Sequence, residues 1–287
     1  MQSELINKFV LSEEVMDLLK DAKSITIPKD RSHLLELAMG ESKSSIYSVT
    51  YNIDGVGEYE EATVTKCKNG VVVNYNDDYM RRRDPDCMYI ADDKDTDKIR
   101  YEDKFNEDFH TVRNETFAWL KNQELIVMPF LAGDDQYGYP AILIAPKNAG
   151  FFAAALADLQ GFIPQDEICH EFNPISIIYL APTFRHTHYD AKQVVVHNRL
   201  EDIHEVFSFN LYPGPSAKKG IYGVLINIGE LEDWVTVHAS TVKVTTPYDN
   251  TVTIMHEGAS GGGKSEMLEE LHREIDGSVL FATNTVT

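Results

Sequence analysis

The densest chemistry in the chain is a glycine-rich octapeptide, Gly258-Ala259-Ser260-Gly261-Gly262-Gly263-Lys264-Ser265, which fits the pattern G-x-x-x-x-G-K-[ST]. Glycines in this arrangement let successive backbone N–H groups turn inward onto phosphate oxygens, at a helix start whose dipole favours anions. Lys264 would reach the β- and γ-phosphates of a nucleoside triphosphate, and the Ser265 hydroxyl would hold Mg²⁺. The flanks suit that chemistry. Residues 251–255 alternate as a short strand, and Met267, Leu268, Leu271 and Ile275 fall on one helical face before Asp276-Gly277.

Other groups are weaker candidates. Arg81-Arg82-Arg83 is a local cation cluster in an acidic chain and reads as an anion pocket. His186-Thr187-His188 in a strand would put both rings on one face together with Asp190, which is metal-ligand geometry. A solvated or hydrogen-bonded pair is the commoner outcome for such histidines, because no third ligand is identifiable. Asp77-Asp78 and Asp92-Asp93 read as solvated loop charges, His256 as strand packing, and Trp119, Phe151 and Phe152 as core.

The elements that must position these residues follow from periodicity. Ser12 caps a helix carrying Val15, Leu18 and Leu19, and a second helix spans residues 32–39 before Gly40. Residues 46–53 and 60–66 alternate as strands, and Asn69-Gly70 is a hairpin turn into Val71-Val72-Val73. Charge crowds residues 77–108 into an exposed loop around one strand at 88–91. Helix is expected at 111–121 and 148–159, and buried strand at 125–131 and 141–145. Strands are expected to dominate afterwards, at 175–180, 193–197, 205–210, 221–226 and 234–238. Mixed elements of this kind indicate an α/β or α+β fold.

With 46 acidic against 26 basic side chains, the net charge is −20. That argues against nucleic acid and against an anionic membrane surface as partners, since both need clustered Lys and Arg. It does not argue against nucleotides, which a few local groups can grip. Cys67, Cys87 and Cys169 lack paired spacing and read as reduced thiols. No signal peptide or spanning run is seen, so a soluble cytoplasmic protein is expected.

Several segments together resemble the phosphoenolpyruvate carboxykinase family, which shares its nucleotide fold with HPr kinase/phosphorylase. Residues 258–265 are similar to that family's Gly-Leu-Ser-Gly-Thr-Gly-Lys-Thr loop. Lys218-Lys219-Gly220 and Val237-His238-Ala239-Ser240 resemble its Lys-Lys-Gly and Met-His-Cys-Ser segments, and Arg83-Asp84-Pro85 with Tyr89-Ile90 resembles its Arg-Ser-Pro segment. The resemblance implies a substrate-side amino-terminal domain at 1–212 and an incomplete nucleotide and metal domain at 213–287. It implies that Arg83 binds the carboxylate of phosphoenolpyruvate or oxaloacetate, that Lys219 and His238 ligate a catalytic Mn²⁺, and that Lys264 and Ser265 hold ATP or GTP with Mg²⁺. A lysine ligates a metal only when deprotonated.

The departures from the family are specific. The motif's Thr-Gly before the arginine is Arg81-Arg82 here, so Arg82 competes with Arg83 for the role. Pro213 stands where the family has a substrate-facing tyrosine, with Tyr212 one place off, and Glu266 echoes HPr kinase/phosphorylase. The expected activity is a nucleotide- and metal-dependent phosphotransferase or carboxy-lyase. A kinase of another small molecule or of a protein serine, and a nucleotide-binding protein without catalysis, are the alternatives. No Asp-Asp pair follows the strand-like residues 278–282, so a longer natural protein is expected, with this chain alone inactive.

Overall fold

The computed structural model describes residues 2–133, 136–245, 248–258 and 262–267. The chain divides into two compact units, residues 1–225 and 226–287. The architecture is mixed α/β.

The first unit opens with α1 (Gln2–Ile6) and α2 (Glu13–Asp21). Ser12 Oγ accepts from Val15 N at 3.4 Å, so the capping hydroxyl starts α2 where its sequence says it should. Strand β1 (Ser24–Thr26) leads to α3 (Arg31–Ala38), capped by Asp30. Strands β2 (Ile46–Ile53), β3 (Gly57–Lys66) and β4 (Val71–Tyr75) form a separate antiparallel sheet. Then come β5 (Met88–Ile90), α4 (Tyr101–Phe105), α5 (Phe109–Lys121), β6 (Glu124–Ala132) and β7 (Tyr139–Pro146). They are followed by α6 (Gly150–Leu159), β8 (Gly161–Phe162), β9 (Ser176–Leu180) and α7 (Phe184–His188). Strands β10 (Val195–Arg199) and β11 (His204–Ser208) complete the main sheet. A π-helical turn (Gly214–Lys218) then runs into α8 (Lys219–Leu231).

The main sheet has the order β1-β6-β7-β9-β11-β10-β5, with β8 on β6. Strands β7, β9 and β11 run parallel to one another at its centre. Their residues are buried on both faces, which explains continuous apolar runs such as Ala141-Ile142-Leu143-Ile144-Ala145 in place of alternation. On one face, Tyr179 and Phe207 stack at 4.7 Å and join Phe117, Leu120 and Leu18 in the core. Elsewhere α6 enters against α3 so closely that a Cβ on Gly150 would lie 2.1 Å from the Leu37 carbonyl oxygen. Only glycine fits there.

Four sequence expectations change. Residues 221–226 belong to helix α8, and 234–238 precede a strand instead of forming one. His186 and His188 sit on helix α7, where positions two apart do not share a face, so the paired-ligand geometry is lost. The 77–108 segment is not all solvated: Tyr101 of α4 is fully buried, and Asp92 is nearly so in an ion pair with Arg199.

In the second unit, β12 (Ala239–Thr245) and β13 (Thr251–Glu257) form an antiparallel ribbon, with Ser240 opposite His256 and Val242 opposite Ile254. Among the described residues, no helix is long and apolar enough to cross a membrane.

Candidate functional site

The glycine-rich loop follows β13 directly, and residues 264–267 are helical, so strand, loop and helix come in the expected order among the described residues. Gly263 has φ +78°, a left-handed conformation that any Cβ would strain, and Met267 N donates to Gly263 O at 2.9 Å to open the helix. Lys264 Nζ donates to Gly258 O at 2.7 Å. The ammonium thus reaches back across the motif to its first residue. Ser265 is exposed at the helix start. Ser260 and Gly261 lie outside the described residues, as do Leu268, Leu271, Ile275 and the strand-like 278–282.

The arginine cluster sits on the turn after β4. Asp77 Oδ1 caps that turn by accepting from Tyr79 N at 3.0 Å. Arg81 is spent locally: Nε and Nη2 donate to Tyr75 O at 3.2 and 3.1 Å, and Nη1 pairs with Asp78 at 2.7 Å. Arg82 is exposed, and Arg83 is half-buried with one long contact from Nη1 to Pro85 O at 3.5 Å. Of the three arginines, Arg81 has its guanidinium most fully engaged by neighbouring groups.

Beneath this segment lies Gln193, only 2% exposed. Its Oε1 accepts from Asp84 N at 3.2 Å, and its Nε2 donates to Arg82 O at 2.7 Å and Tyr79 O at 3.4 Å. The Tyr79 hydroxyl donates to Asp84 Oδ2 at 2.7 Å and accepts from Gln193 N at 3.1 Å. Burial, and then the bond to Asp84, push the Tyr79 hydroxyl up to about 12, while that hydroxyl and the Asp86 N–H hold the Asp84 carboxyl below its usual value. Cys87 beside them is buried and pushed up to about 12, so it is a packed thiol and not a nucleophile.

The other end of the segment is tied to a buried ion cluster that sequence reasoning did not find. Arg185, on α7 just past the carboxyl end of β9, is fully buried. Its Nη1 donates to Asp77 Oδ2 at 2.9 Å and to the Ala191 carbonyl, and its Nη2 to Glu61 Oε2 at 3.3 Å. His186 Nε2 meets the other oxygen of Glu61. Glu61 points inward because β3 carries a bulge: Val49 pairs with Ala62 and Thr50 with Glu60, leaving Glu61 extra between them. The signal was two acidic residues in succession, Glu60-Glu61, where strict alternation would put one on each face. His188, by contrast, stacks on Phe184 and bonds Glu115 at 2.8 Å.

Of the metal candidates, Lys219 places Nζ 4.8 Å from the Tyr222 ring centroid, a seat that stabilises an ammonium. His238 is exposed just ahead of β12. Among the described residues, no group of three or more His, Cys, Asp or Glu could hold a metal ion.

A family model described as "Domain of unknown function (DUF4914)" matches residues 11–287. The chain belongs to the DUF4914 family. Among curated proteins, none matches this DUF4914 chain. The family description names no activity.

Proposed function

We propose that this DUF4914 chain binds ATP or GTP with Mg²⁺ at residues 258–265, in the service of phosphoryl transfer of the phosphoenolpyruvate carboxykinase kind. The acceptor would be a small carboxylate such as oxaloacetate. The observation that carries the reading is the 2.7 Å contact from Lys264 Nζ to Gly258 O, which places the motif's one ammonium across its own loop. One partner of that ammonium is thus a neutral carbonyl, and a charged phosphate oxygen makes the stronger, charge-assisted bond. The Ser265 hydroxyl would hold Mg²⁺, which supplies charge neutralisation on the phosphates when bound.

Within the first unit, Arg82 and Arg83 are the candidates for the acceptor's carboxylate, since a planar guanidinium takes a carboxylate in a bidentate grip. In the reaction, oxaloacetate loses one carboxylate as CO₂. The electron pair of the broken C–C bond becomes an enolate, whose oxygen takes the γ-phosphoryl as its bond to the nucleoside diphosphate breaks. Lys264 would follow the charge moving onto the leaving phosphate.

Isothermal titration with ATP and GTP in the presence of Mg²⁺ tests the nucleotide part. Binding to the wild type should weaken by about 100-fold or more in Lys264→Ala, given about 1.5–3 kcal/mol for each hydrogen bond to a charged group. CO₂ release from oxaloacetate that requires a nucleoside triphosphate tests the chemistry. Absence of nucleotide binding by the wild type would sink the whole reading.

A further inference from the structure

We propose that Gln193 is a positioning residue for the acceptor site: its buried amide holds residues 79–84 so that Arg82 and Arg83 present their guanidiniums to a carboxylate. The inference deepens the functional reading above and rests on it.

A primary amide removed from water is costly unless its donors and acceptor are used. In Gln193 both donors and the acceptor are used, and all three bonds go to one segment: to Tyr79 O, Arg82 O and Asp84 N. None goes to Gln193's own neighbours in sequence. The residues bonded bracket the two available arginines, with the Arg82 carbonyl taking the shortest bond, at 2.7 Å. Tyr79 adds a second brace, because its hydroxyl joins the Gln193 backbone N–H to the Asp84 carboxylate.

The approach to Gln193 is costly too. Asp190 and Ala191 are both left-handed, with φ of +49° and +61°, and neither is glycine. Such backbone persists only when its surroundings hold it. Here the Ala191 carbonyl accepts from Arg185, and the same guanidinium holds Asp77 at the start of the arginine turn. One strained turn therefore delivers Gln193 to one end of the segment while Arg185 grips the other. Long arginine side chains lose much freedom on binding, and a pinned backbone lowers that cost for the pair.

The test separates acceptor from nucleotide. Titrations with phosphoenolpyruvate and, separately, with ATP and Mg²⁺ would use wild type, Arg82→Ala/Arg83→Ala, Gln193→Met and Tyr79→Phe. Gln193→Met should bind phosphoenolpyruvate roughly tenfold or more weakly, the scale expected when a gripping group is misplaced by a fraction of an ångström or more. Its ATP affinity should be unchanged, and amide exchange across residues 79–86 should quicken. The double arginine variant should lose phosphoenolpyruvate alone. A merely structural role would lower the melting temperature without changing either affinity, or would weaken both together, and either result overturns the proposal. Where Gln193→Met does not fold, Tyr79→Phe decides by the same criterion. Wild type that binds ATP but not phosphoenolpyruvate would remove the acceptor reading and the role of Gln193 with it. Wild-type phosphoenolpyruvate affinity in Gln193→Met would remove the role of Gln193 alone.

Discussion

Arg185 shows how much one side chain can decide. It is fully buried with Glu61 and Asp77 as its anions, and burying charge is tolerable only while the pairing holds. Arg185→Met should therefore destabilise the fold by about 3–5 kcal/mol, because two carboxylates lose their cation. Denaturant unfolding checks this, and a loss below about 1 kcal/mol would mean that water already reaches the cluster. The arginine itself was not legible in the sequence. Phe184-Arg185-His186-Thr187-His188 reads as a pair of spaced histidines, and nothing local says that the arginine is buried along with the phenylalanine. Its partners are distant in sequence and are brought to it by a bulge and a crossover. The glycine-rich loop was legible because all its chemistry lies within eight consecutive residues.

At the scale of elements, the strongly patterned ones were readable and the compromised ones were not. Residues 60–66 alternate, Asn69-Gly70 leads into Val71-Val72-Val73, and the hairpin is there. Helix α8 read as a strand because Ile221-Tyr222-Gly223-Val224-Leu225-Ile226 is apolar, β-branched and interrupted by a poor helix former. The glycine has a packing reason: a Cβ on Gly223 would lie 2.8 Å from the His197 ring. Helix propensity is given up so that α8 can lie on β10. Gly150 is a similar case, and Gly150→Ala should cost about 1–3 kcal/mol or more through overpacking against the α3 backbone, measurable as a lower unfolding midpoint.

The His197 ring also belongs to a buried hairpin pair, with Nδ1 2.8 Å from His204 Nε2. Burial, aided by the charge of Arg199, pushes His197 down to about 4. Burial, aided by His197, pushes His204 well below its usual value. Both rings are thus neutral in the fold but protonate more readily once unfolded. Their stabilisation is complete above the usual value of 6.5 and is lost as pH falls from there toward about 4. Stability measured between pH 7.5 and 4.5 should fall, and should fall less steeply in His197→Gln/His204→Gln. Equal slopes would assign the loss to other groups.

Over the whole molecule, a net charge of −20 makes self-repulsion a general term that no single ion pair offsets. Adding salt screens that repulsion more than it weakens buried pairs such as Arg113–Glu205, whose contacts are 2.9 and 2.8 Å. The melting temperature should thus rise by a few degrees between about 20 and 200 mM NaCl, a range over which the screening length shrinks roughly threefold. A fall would mean that exposed ion pairs dominate.

The bulge at Glu61 bears on how this protein can tolerate change. Deleting that one residue would leave β2 and β3 a cleaner ladder, with every remaining partner in step. By local rules the hairpin would improve. Yet the deletion removes the carboxylate that answers both Arg185 and His186, so a chain repaired in its counting would be poorer in its bookkeeping of charge. Shortening at this point should be far more damaging than shortening at residues 54–56, the exposed turn between β2 and β3.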